Sequence, residues 1–156
     1  MRLKPTLRLL CGIIAISSTA LAQRLPVFED CPRAVQSIEQ APRLRFPDAQ
    51  TRKYRSVLRD AANGPVDFAG HYVLAGWGCG AGCVMAAAID KKSGRIVPLP
   101  FTVSDWPLDV SEPIEYRANS CVVIVKGSRN ESNEHGTYYY AFNGTSFHLR
   151  ATAPRQ

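Results

Sequence analysis

HYVLAGWGCGAGCVMAAAIDKKSGRIVPLP, residues 71–100, decides the fold. Tyr72, Leu74 and Trp77 stand out in an extended pattern, and VMAAAID stays apolar until Asp90. Glycines at 76, 78, 80 and 82 crowd the passage between these two runs. Extended apolar runs on either side of a glycine-rich passage read as strands rather than as a helix. Lys91-Lys92-Ser93-Gly94 then supplies a turn, and RIVPLP a return strand that Pro98 and Pro100 end or place at a sheet edge.

Downstream, residues 102–113 carry Pro107 and Pro113 and read as a connecting loop. CVVIVKG, residues 121–127, is apolar on both faces, which predicts a central strand. TYYYAFNGTSFHLRA predicts two strands around Asn143-Gly144, a strong hairpin signal, with Tyr138, Tyr140 and Phe142 on one face. Upstream, TRKYRSVLRDAANG predicts an amphipathic helix. Thr51 would cap it, Tyr54, Val57, Leu58 and Ala61 would form its apolar stripe, and Asn63-Gly64 would stop it. Its Arg52, Lys53, Arg55 and Arg59 read as a solvated face. Residues 23–49 hold Pro26, Pro32, Pro42 and Pro47 and read as an N-terminal arm over the domain, with room for one short helix at Pro32–Glu39. The expected architecture is α+β. A mostly antiparallel sheet of five to seven strands and one main N-terminal amphipathic helix form a disulfide-stapled domain over residues 50–152.

Residues 1–22 stand apart from that fold. Arg2, Lys4 and Arg8 precede a short apolar core, and Ala20-Leu21-Ala22 offers the small residues a signal peptidase reads, so an exported protein is expected. No cysteine follows the small residues at the end of that core, so no lipid or membrane anchor is expected in the mature form, which would begin at Gln23. Loss of those three bases lowers the formal charge from +6 to +3. Such a modest, scattered charge argues against nucleic acid as a partner.

Processing also removes Cys11 and leaves Cys31, Cys79, Cys83 and Cys121. An even number in an exported chain favours two disulfides. Cys79 and Cys83 have three residues between them, one too many for a thioredoxin-type site, and they adjoin strands rather than a helix N-terminus. Zinc would need two of His71, His135 and His148 beside that pair, and no second close pair exists, so no metal or other cofactor is expected. If Cys79 and Cys83 close on each other, Cys31 and Cys121 pair by default. Cys31–Cys79 with Cys83–Cys121, or the crossed pairing, stays open. The competing chemistry is a thiol-dependent hydrolase or transferase in which Cys83 is the nucleophile and His71 or His135 its base.

Asp67-Phe68-Ala69-Gly70-His71-Tyr72, then Trp77-Gly78-Cys79-Gly80 and Cys83, then Asp90 to Gly94, form a pattern. On these residues the chain resembles an uncharacterised family of small exported bacterial proteins. The resemblance spans about residues 50–145 and implies a periplasmic or secreted home and a structural role for the Cys79/Cys83 pair. It brings no activity with it, and Cys31 and Cys121 lie outside its pattern. The expected function is a non-catalytic binding module, of the inhibitor or immunity type. Tyr72, Trp77, Gly78, Gly80 and Gly82 are the candidate binding residues, and an envelope protein or a glycan is the expected partner. Trp106, Tyr116 and Tyr138 to Tyr140 are the other aromatics that a binding face would draw on.

Overall fold

The computed structural model describes residues 24–154; the expected signal segment, with Cys11, lies outside the described residues. Helices α1 (Ala49–Lys53) and α2 (Arg55–Ala62) precede eight strands. These are β1 (Tyr72–Gly80), β2 (Cys83–Asp90), β3 (Ile96–Pro98), β4 (Val103–Ser104), β5 (Ile114–Glu115), β6 (Val122–Arg129), β7 (His135–Phe142) and β8 (Phe147–Pro154). All pair antiparallel in one sheet of order β1-β2-β4-β6-β7-β8, with β3 beside β2 and β5 beside β6. The α+β class and a disulfide-stapled domain stand as the sequence predicts, and of the pairings left open the structure has Cys79–Cys83 with Cys31–Cys121.

The differences from expectation are local. The described residues form eight strands rather than five to seven, because two-residue strands lie within the segment read as a loop (β4) and just after it (β5). The expected helix is two short ones that follow the arm. Tyr54 departs from helical geometry at φ −100° and ψ 23°, while hydrogen bonds on both sides of it continue the winding. Asp48 rather than Thr51 is the N-cap; its carboxylate accepts from the Thr51 amide at 2.7 Å. Residues 32–39 form no helix; instead Phe28–Asp30 makes one 3-10 turn.

The sheet coils until its two ends share a core. Tyr72 on β1 meets Phe142 on β7 at a ring separation of 4.9 Å, although three strands intervene in the order. Phe68, fully buried just before β1, packs against Tyr72, Tyr116, Phe142 and Phe147. Val123 and Val125 of the central strand complete this layer. The opposite face of the β1–β2 hairpin has its own smaller core. There Ala75, Trp77, Ala87 and Ile89 receive Leu58 and Ala62 of α2, with Leu44 and Phe46 of the arm. The hairpin is therefore buried on both faces over most of its length, which explains why VMAAAID shows no alternation.

The arm is fastened at both ends. Cys31 is bonded to Cys121, with the Cα atoms 5.4 Å apart, and Pro32 pairs with Ser120. Further along, Arg45 pairs with Arg95, and its amide donates to the Gly94 carbonyl at 2.8 Å. Two glycines of the sequence pattern make room for this docking. A Cβ on Gly70 would lie 2.7 Å from the Ala34 carbonyl oxygen, and one on Gly94 would lie 2.0 Å from that of Arg43. Both also hold φ in the left-handed region, at 86° and 72°.

Lys91 has a role that its place in a turn conceals. It is buried, and its ammonium donates to the carbonyls of Ala62 at 2.8 Å and Gly64 at 2.9 Å. It thereby satisfies acceptors where α2 ends, at the negative pole of the helix. Lys91→Met keeps the stem and removes the donors. It is expected to destabilise the fold by about 1–3 kcal/mol in urea denaturation, with the loss of amide-exchange protection concentrated in α2.

Candidate functional site

The hairpin tip carries the chemistry that the sequence singles out. Between Gly78 and Gly80 the β1–β2 register slips, which makes Cys79 the extra residue of a bulge. The bulge sets Cys79 beside Cys83, with Cα atoms 5.2 Å apart and the sulfurs bonded. Gly80, Ala81 and Gly82 form the exposed turn, and Gly82 holds φ 62°. In this form Cys83 has no thiolate.

Neither candidate base stands near it. His71 is at the opposite end of β1, roughly 25 Å away at about 3.3 Å per residue. There its Nε2 lies 3.8 Å from the Asp90 carboxylate. Burial lowers the His71 pKa more than the charge of Asp90 raises it, and Lys92 lowers it further. Burial pushes Asp90 up, but the Ser93 hydroxyl, the Lys92 amide and the His71 charge together outweigh it and hold the carboxyl below its ordinary range. His135 is separated from Cys83 by the rungs Cys83–Ser104, Ser104–Ser128 and Ser128–His135. At about 4.8 Å per step, the two are roughly 14 Å apart across the sheet. His135 faces Asp105 instead, at 3.9 Å. Among the described residues no group of three or more His, Cys, Asp or Glu side chains is placed to hold a metal ion.

The candidate binding residues divide by face. Tyr72 and Trp77 are buried, in the large and the small core respectively. The Trp77 ring lies 5.2 Å from that of Tyr54, and its buried Nε1 finds no partner among the described residues. Gly78, Gly80 and Gly82 are exposed, as is Gly76. Residues 74, 76 and 78 share a face of β1, opposite Ala88, Ala86 and Val84 of β2. With no side chain at 76 or 78, that face is bare backbone flanked by small or branched apolar groups.

A pocket of about 170 Å³ opens on this face. Leu74, Gly76, Val84 and Ala86 floor it. The segment between β4 and β6 walls it with Trp106, Pro113 and Tyr116, and Ser111 and Glu112 stand at its rim. The rings of Trp106 and Tyr116 are half-buried and lean on the large core. A larger hollow of about 570 Å³, between residues 35–39 and 63–66, has Glu39 as its single charged group and gathers no comparable aromatic wall.

Asp67 stands beside Tyr116. One carboxylate oxygen accepts the Leu74 amide at 2.9 Å. Burial raises the Asp67 pKa despite the hydrogen bonds from Leu74, from its own amide and from Tyr116. The Tyr116 phenol is raised as well, by burial and then by the charges of Asp67 and Glu112. Native Asp67 thus keeps its proton to a higher pH than it does in the unfolded chain. Between those two pKa values folding takes up a proton, so this group's contribution to stability falls as pH rises from the ordinary carboxylate value through the raised one. Asp67→Asn retains the acceptor for Leu74 and removes the titration. Its urea midpoint is expected to match or exceed that of wild type above the raised pKa, with the wild-type decline across the window absent.

Sequence reasoning missed Gly76, Asp67 and Glu112. The glycine at 76 shares the period-two spacing of 78 and 80, which was a readable sign of a strand face kept bare. Nothing in the sequence shows that residues 111–116 fold back over it. It also missed Arg129, whose guanidinium lies 3.9 Å above the Tyr138 ring and donates to the Tyr140 hydroxyl at 2.8 Å. Compared with family models, with curated proteins and with solved structures, the chain matches none, so the site is read from its own residues.

Proposed function

We propose that this chain is an exported, non-catalytic binding module of the inhibitor or immunity type, which engages a protein of the cell envelope. The observation that carries the reading is the bare glycine face of β1 beside an apolar pocket walled by Trp106 and Tyr116. The Cys79–Cys83 bridge fixes the tip next to that face. A small apolar pocket with aromatic walls is a common form of protein recognition centre, since aromatic groups lose little entropy on binding and bury much area. Two disulfides accord with an oxidising compartment, the periplasm or the medium, and no helix among the described residues is long and apolar enough to cross a membrane.

The test is crosslinking in cells that export the chain, with a photoreactive residue at Ser111, followed by capture of the adduct. A single saturable protein adduct is expected, weakened at least tenfold by Trp106→Ala or Tyr116→Ala. Absence of any saturable adduct overturns the reading. An adduct with glycan alone moves the partner to the envelope polysaccharide.

A further inference from the structure

The outer edge of β1 is open where the glycines lie. In an antiparallel pair, alternate residues direct both backbone groups toward the neighbour and the others direct them away. Two observations fix the parity here. The Leu74 amide donates outward to Asp67, and the Tyr72 amide and carbonyl are paired outward with Phe68. On β2, the Ala86 carbonyl accepts from Leu99 and the Asp90 amide donates to Arg95, both away from β1. Residues 72, 74, 76 and 78, opposite Asp90, Ala88, Ala86 and Val84, therefore all point their backbone groups to the free edge. The chain itself covers that edge at Tyr72 and Leu74, by Phe68 and Asp67. From Gly76 onward nothing in the described residues pairs with it.

We propose that this edge takes an extended segment of a partner protein as a ninth, antiparallel strand. The segment continues the pairing that Phe68 and Asp67 begin. Its residue opposite Gly76 places an apolar side chain of about leucine size in the pocket over Leu74 and Ala86. The inference rests on the binding-module reading and specifies its ligand class. Charge selects the neighbouring residue. Residues 103–116 contain Asp105, Asp109, Glu112 and Glu115 and no lysine or arginine, although the full sequence is basic, at net charge +6, and stays positive without Arg2, Lys4 and Arg8. Glu115 is paired with Lys126 and Asp105 faces His135, whereas Glu112, at the pocket rim, has no ion-pair partner among the described residues. A basic residue two positions along the added strand, on the same face as the apolar one, meets that carboxylate. Strand addition of this type draws affinity from main-chain bonds and specificity from alternate side-chain pockets.

The probe is a random decapeptide library displayed on phage and selected on the folded, oxidised chain, followed by synthesis of the enriched peptide. Enriched sequences are expected to hold an apolar residue and a lysine or arginine two positions apart. N-methylation of the amides of those two residues should weaken binding at least tenfold, and that of the residue between them less than threefold. The Gly76 and Gly78 amides should gain at least tenfold protection from hydrogen exchange. Gly76→Val should abolish binding by filling the pocket. A Cβ there meets only the Met85 carbonyl oxygen at 3.9 Å, and a β-branched residue suits a strand, so the variant is expected to fold with a urea midpoint no lower than that of wild type. Glu112→Lys should turn the selected basic residue acidic. Enrichment of nothing, an N-methyl pattern without period two, or unprotected Gly76 and Gly78 amides each overturn the strand-addition proposal. If the Ser111 adduct persists in those cases, or in Gly76→Val, the binding-module reading survives without it.

Discussion

Alanine in place of both Cys31 and Cys121 lowers the unfolding free energy by on the order of 4–5 kcal/mol, the value that chain entropy gives for closing so long a loop. The bridge joins residues 90 apart in sequence, so cutting it releases a large part of the unfolded chain from constraint. Alanine is preferred to serine, because Cys121 is buried among apolar groups and a hydroxyl there would lack a partner. The matching change at Cys79 and Cys83, which closes a loop of only 4 residues, is expected to cost about 2 kcal/mol or less. The two costs differ because the bridges do different work. One fastens the arm to the residue just before β6, and the other shapes a turn. Urea denaturation of both double variants measures the difference, and limited proteolysis should cleave residues 32–47 in the first variant alone. Equal costs would show that the arm adds nothing to the fold.

Phe68→Ala is the second large effect, at about 3–5 kcal/mol. The ring is fully buried and touches four aromatic neighbours that come from β1, the segment after β5, β7 and β8. Because these neighbours belong to separate segments, the vacated volume cannot close by one local shift. The loss should reach the site too, because Tyr116, a wall of the pocket, stands edge-on to Phe68 at 6.1 Å. Phe68→Leu is expected to cost less than half as much. A change below 1 kcal/mol for the alanine variant would show that the coiling of the sheet does not depend on this ring.

The hairpin, the central strand and the Asn143-Gly144 turn are legible in the sequence because each is local. Two runs of matching length flank a glycine turn, and an eight-residue strand buried on both sides cannot look amphipathic. Where the reading stops short, distance is the reason. Strands β4 and β5 are two residues each, too short to show any period. The break at Tyr54 leaves the apolar spacing of the helices intact, so no pattern reveals it. The absence of helix at Pro32–Glu39 follows from pairing with residues near 70 and 120, which no local propensity contains.

The site is half legible for a similar reason. Exposure of Gly80 and Gly82 follows from the turn they make, and Gly78 stands on the strand just before it. Trp77 looks like a binding aromatic, yet it lies one residue out of step with Gly76 and Gly78 and so belongs to the face that α2 covers. Tyr72 shares the glycine face, but the coiling of the sheet brings Phe142 over it. Strand parity settles the first case and tertiary folding the second, and only parity can be counted along a sequence.

Under the proposed function the glycine tip is a recognition surface fixed by a disulfide and not a thiol site. The most direct test is the intact mass of the chain, recovered from the periplasm or the medium and alkylated without reduction. No alkyl group is expected to add, because Cys31, Cys79, Cys83 and Cys121 are all bridged. Addition of one or two groups would contradict that reading, by showing a free thiol where the structure has a bond.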